Sequence, residues 1–106
     1  MAPTKYYFIL SPNDMTEDLR VKAEAYYGSK DYKYIADHPE CMNAIKTSLG
    51  EHGLHCNAKL LLIGSATIAM SMSDSIYVAK NWEDDDYCKV CHALAFSYGL
   101  EIVYES

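Results

Sequence analysis

Short runs of aromatic and branched apolar residues alternate along this chain with longer stretches of helical pattern, and that alternation restricts the fold more than any other feature. Lys5-Tyr-Tyr-Phe-Ile-Leu10 has almost no polar interruption, which suits a strand buried on both faces. Ser11-Pro12-Asn13-Asp14 ends it. From Thr16 onward an N-cap threonine, early acids and good helix formers predict a helix that stops at Gly28. Residues 29–39 carry mixed charges and aromatics without a clean period and read as a loop. Asp37 or His38 opens the next helix, with Pro39 in its first turn and Cys41, Met42, Ile45 and Leu49 at helical spacing before a stop at Gly53. A brief strand over 54–56 follows.

The segment 58–72 contains a strand-like run, Lys59-Leu-Leu-Leu-Ile63, but its length favours an apolar helix with Gly64 inside it. Residues 75–79 form a short apolar strand. The acidic turn Glu83-Asp84-Asp85-Asp86 leads into a helix running to Tyr98, on which Tyr87, Cys91, Leu94 and Tyr98 share one face. Gly99 caps that helix and residues 100–104 make the last strand. Strands separated by helices pair in parallel through right-handed crossovers. The expected fold is therefore a small three-layer α/β sandwich with a mainly parallel sheet, flavodoxin- or Rossmann-like, spanning residues 1–106 as one domain.

Composition narrows the function classes. Half of the 106 residues are hydrophobic, enough for one ordinary core. No apolar run is long enough to span a membrane, and the first residues lack the layout of a secretory signal, which predicts a cytoplasmic protein. Nine basic against fifteen acidic side chains give a net charge of -6, which repels a phosphate backbone and argues against nucleic acid as a partner. The four cysteines are expected as thiols, metal ligands or small buried hydrophobes before disulfides.

In an open parallel sheet, ligands gather beyond the carboxyl ends of the strands. The loops after Leu10 and Ala79 are then the places to look. The first holds Ser11, Asn13 and Asp14; the second holds Trp82 and four consecutive acids. The acids have a plain explanation as helix N-terminal charges, with Asp84 or Asp85 as the N-cap. Alternatively, Asp85 or Asp86 accepts hydrogen bonds from sugar hydroxyls, or holds a divalent cation, with Trp82 as an apolar wall. Four carboxylates would repel a phosphate there, so the ligand should be neutral, cationic or metal-bridged.

Cys88-Lys-Val-Cys91-His92 matches the string that attaches c-type haem. The absence of an export signal and its place inside a predicted crossover helix weigh against haem. A thioredoxin-like pair would sit directly after a strand, and the acids would raise a thiol pKa. Zinc held by Cys88, Cys91 and His92 with Cys41 or Cys56 is a further alternative. Core packing of Cys91 and half-burial of Cys88 is the simplest reading, and no cofactor is called for. Capping and exposure account for His38, His52 and His55, and core faces or strand flanks for most of the ten tyrosines.

Two blocks of the chain resemble the nucleoside 2-deoxyribosyltransferase-like proteins, including a short bacterial and phage branch. They are Tyr7 to Pro12, similar to that family's Tyr-Ile-Ser-Gly-Pro loop, and Ser73-Asp-Ser-Ile-Tyr-Val78, Asn81-Trp82, Ala93-Leu-Ala95 and Gly99-Leu-Glu-Ile-Val-Tyr-Glu105. The resemblance implies a nucleoside-like ligand and a homo-oligomer. It also implies a nucleophilic glutamate that attacks the anomeric carbon of a deoxyribose through an oxocarbenium-like transition state. Counting from Trp82, that glutamate falls on Cys91, the family glycine on Tyr87 and the serine on Asp85. A neutral thiol offers no charge to a developing cation. The expectation is a family-like scaffold that binds a nucleoside- or nucleotide-derived molecule through Ser11, Asn13, Trp82, Asp85 and Asp86 without transferring its sugar. Two alternatives stay open: an N-glycosidase or transferase using Asp85 or Asp86 as a displaced carboxylate, and an acidic interaction protein that mimics a polyanion.

Overall fold

The computed structural model describes residues 4–12, 16–52 and 58–105. Four strands, β1 (Lys5–Leu10), β2 (Tyr32–Tyr34), β3 (Ser75–Val78) and β4 (Glu101–Tyr104), form one parallel sheet in the order β2-β1-β3-β4. Among the described residues, four helices connect them: α1 (Glu17–Gly28), α2 (Pro39–His52), α3 (Ala58–Ser71) and α4 (Asp86–Ser97). The chain steps from β1 to β2 in one direction and then returns past β1 to β3 and β4. Right-handed crossovers in opposite directions require helices on opposite faces. Accordingly α1 covers one face and α2, α3 and α4 cover the other, giving the three layers that the alternating pattern predicts.

Side-chain alternation in the strands divides the core. Tyr7, Ile9 and Tyr77 point to α1, where they meet Leu19, Ala23 and Tyr27. Leu10, Ile76 and Val78 point the other way, onto Ala66 and Met70 of α3 and Cys88, Cys91 and Ala95 of α4. Leu10, Ile76 and Val78 are wholly buried, each worth roughly 1.5–3 kcal/mol of apolar transfer. The helix ends follow local chemistry. Thr16 accepts a hydrogen bond from the Leu19 N–H at 3.2 Å and caps α1. Gly99, with φ +74°, follows α4 in the left-handed conformation that glycine tolerates best, and Leu100 N–H donates back to Ala95 O at 3.1 Å.

Three expectations are corrected. The stretch read as a loop contains β2 and a 3-10 turn at Ile35–Asp37. Three residues are too few to display a period; parallel pairing of Tyr32, Lys33 and Tyr34 with β1 and complete burial of Ile35 create the strand. The face of α4 is also rotated from the one expected. Cys88, Cys91 and Ala95 form its buried stripe, Tyr87 and Leu94 flank it, and Tyr98 is 45% exposed at the C-cap. Small residues turn inward because α4 lies close over the sheet and α3. Cys88, expected half-buried, is therefore fully buried. The strand expected over 54–56 and the stop at Gly53 lie outside the described residues.

Candidate functional site

β1 and β3 are neighbours whose outgoing connections run to opposite faces of the sheet, so their carboxyl ends lie side by side at a topological switch point, the place where α/β sheets of this kind hold ligands. Leu10 pairs with Val78, and Ala79 N–H donates to Leu10 O at 3.0 Å. Half-buried Ser11 leaves β1 here. Lys80 and Asn81 leave β3 and enter a 3-10 turn, Trp82–Asp84, in which Trp82 N–H donates to Ala79 O at 3.1 Å. The structure thus brings the Ser11 and Trp82 loops to neighbouring strand ends. Asn13 and Asp14 lie outside the described residues.

The acidic run is divided by its backbone. Asp85 is the N-cap of α4: its carboxylate accepts from the Cys88 N–H at 3.1 Å. This is one of the two caps expected, and one of its oxygens is already committed. Asp86 occupies the first turn on the solvent side, 3.9 Å from the Lys89 ammonium.

Trp82 has a partner that the sequence did not suggest. The His92 imidazole stacks on its indole with centroids 4.0 Å apart and planes 10° apart. His92 Nε2 and the Tyr104 hydroxyl are joined by a hydrogen bond of 2.8 Å. One face of the tryptophan is therefore occupied by protein, and a ligand would meet its edge or the other face. Glu105 is a second residue whose role sequence reasoning missed. Its carboxylate accepts from the Lys80 N–H at 3.0 Å and from the Lys22 ammonium at 2.9 Å, while its own N–H donates to Val78 O at 2.8 Å. These bonds tie the end of β4 to the loop after β3 and to α1. Lys22 and Lys80 hold the Glu105 carboxyl below its ordinary value against the opposing effect of burial. The only sequence signal for either contact is that His92, Tyr104 and Glu105 fall on elements bordering β3.

Cys88 and Cys91 face the core, one helical turn apart, whereas the ring of His92 turns outward to Trp82. Cys41 belongs to a separate cluster with Ile35 and Ala69, and Cys56 lies outside the described residues. Among the described residues no group of three or more His, Cys, Asp or Glu is placed to hold a metal ion. Burial, assisted by Asp85, pushes the Cys88 thiol up to about 12. Burial likewise raises Cys91 to about 11, partly offset by the Tyr87 hydroxyl, which favours the thiolate. At neutral pH both sulfurs are protonated, and the Cys91 sulfur is sealed from solvent. Neither can act as a nucleophile in that state.

His38 stacks on Tyr6 at 4.8 Å beside the start of α2. Among the described residues no helix is long and apolar enough to cross a membrane. No family model, curated protein or solved structure matches the chain.

Proposed function

We propose that this domain binds a nucleoside- or nucleotide-derived small molecule in the crevice between the Ser11 and Trp82 loops and does not break its glycosidic bond. The observation that carries this reading is the switch point itself, with the ends of β1 and β3 tied together by the Ala79-to-Leu10 hydrogen bond at the base of two polar loops. Trp82 supplies an aromatic edge for a base, and Ser11 a hydroxyl for a sugar. The acids at 83–86 and the charge of -6 favour a neutral or cationic nucleoside over a phosphorylated one.

Cys91, at the position where the resembled family carries its nucleophile, is a buried neutral thiol. Asp85 already serves as a helix cap. Asp85 commits one oxygen to the α4 cap and Asp86 lies on the solvent side beside Lys89, which favours binding over transfer. Following the same resemblance, the domain acts as a homo-oligomer.

Thermal unfolding with deoxynucleosides tests the reading. A nucleoside at 100 times its dissociation constant should add about 2.7 kcal/mol of stability, and Trp82→Phe, which keeps the packing, should weaken that gain. Chromatography of the same mixtures should recover intact nucleoside. Free base in amounts that scale with protein would overturn the non-catalytic reading, and an unmoved melting curve across the panel would overturn nucleoside binding.

A further inference from the structure

The helical face with three helices contains a feature unconnected with the crevice. An apolar pocket of about 160 Å³, open to solvent on one side, lies between α2, α3 and the sheet, with Tyr87 of α4 at one side. Phe8 and Ile35 line it from the sheet side, Ile45 from α2 and Ala66 from α3. Its walls are almost entirely carbon. The hydroxyl of Ser65 in its lining donates to Leu61 O at 3.0 Å within the helix, so it is committed elsewhere. A water molecule needs two to four polar partners to be held in such a space, and these walls do not supply them. Met42 and Leu62, 39% and 52% exposed, stand at the solvent side. The flexible thioether chain of methionine suits an entrance that must yield.

We infer that this cavity is a binding site for a small neutral apolar molecule, an aromatic or branched hydrocarbon group of about six to nine heavy atoms. Volume and chemistry select that class together. An apolar protein cavity of about 150 Å³ accommodates benzene, and the space here is of the same size. A nucleobase is disfavoured because any ring edge turned toward these walls would meet no hydrogen-bond partner. An ion is excluded more strongly, since nothing in the walls would replace its hydration. The site is therefore independent of the proposed nucleoside crevice, and either can fail without the other.

Titration of the full-length chain with toluene, followed by amide chemical shifts, is the direct test. Saturable perturbation is expected at Ile45, Ala66, Ala69 and Tyr87, unaffected by excess deoxyadenosine. Ser65→Leu places a side chain in the space and should weaken toluene at least tenfold; Ala69→Val, a smaller intrusion, serves if the first variant does not fold. Absence of saturable shifts overturns the inference. So do shifts centred elsewhere, displacement of toluene by deoxyadenosine, or toluene affinity unchanged by both substitutions. Self-association that hides the rim and excludes toluene would also overturn it, by assigning the cavity to a second copy of the chain.

Discussion

The two faces of the sheet solve the same packing problem with opposite materials. Over one face a single helix, α1, is enough because large rings fill the volume: Tyr7 stacks on Tyr27 at 4.1 Å and on Tyr34 at 5.4 Å, and Tyr77 packs edge-on to Tyr27. The Tyr27 hydroxyl, wholly buried, finds Ser75 Oγ at 2.7 Å, so it is not stranded. Over the other face three helices approach on small side chains, among them Cys41, Ala66, Ala69, Cys88, Cys91 and Ala95. Small residues permit close approach but tile irregular gaps poorly, and the 160 Å³ cavity lies on this side. Bulk rather than helix number decides whether a face closes.

The contrast can be broken most severely at Tyr27. Tyr27→Ala should cost about 3–5 kcal/mol in urea unfolding, the range for removing a buried aromatic ring; a loss below about 1 kcal/mol would mean the ring stack does not hold the α1 face. Enlarging a small residue on each side sharpens the comparison. Ala23→Leu, placed among packed tyrosines, should destabilise by about 1–3 kcal/mol through overpacking. Ser65→Leu, directed at the cavity, should change stability by no more than about 1 kcal/mol, because the space for it already exists. Similar costs at both positions would erase the distinction.

The caps give a smaller and symmetric effect. Thr16→Ala and Asp85→Ala should each lose about 1 kcal/mol, one on each side of the sheet, measured as matching drops in the midpoint of thermal unfolding. The gentlest probe is pH. Unfolded thiols ionise near 9, while Cys88 and Cys91 ionise at about 12 and 11 in the folded chain. Above pH 9 the unfolded state therefore binds fewer protons than the folded state, and stability falls as pH rises. Burial raises Tyr7 to about 12, so the α1 face contributes in the same direction beginning about one pH unit later. Urea midpoints at pH 8, 9 and 10 should decline, and replacing both cysteines with alanine should flatten the early part of that decline.

Much of this architecture is legible locally. Thr16, Pro39, Asp85 and Gly99 mark helix boundaries by chemistry that acts within one turn, and the runs at β1 and β3 announce buried strands by their unbroken apolar character. Alternation and the general rule for parallel sheets pointed to the loops after Leu10 and Ala79, but the strand order that sets those loops side by side is a property of the tertiary structure. Other features left no local trace. β2 exists because β1 offers it a register. The stacking of His92 on Trp82, and Glu105 bridging Lys22 and Lys80, join residues 10, 83 and 25 positions apart in sequence. The apolar period of α4 points to its bulky side chains, whereas close packing over the sheet admits the sulfur and methyl groups of Cys88, Cys91 and Ala95.

By itself, then, the chain determined the four helices, the strands β1, β3 and β4, and the parallel sense of the sheet, but not β2. These depend on residue periodicity, capping and backbone handedness, all short-range or general to L-amino acids. Only the tertiary structure decided which side of α4 is buried, what Trp82 rests upon, how far Cys88 and Cys91 are removed from ionisation, and that the face of small residues holds an apolar pocket. Those outcomes are differences between volumes and between solvation environments. They take values only when distant segments occupy the same space.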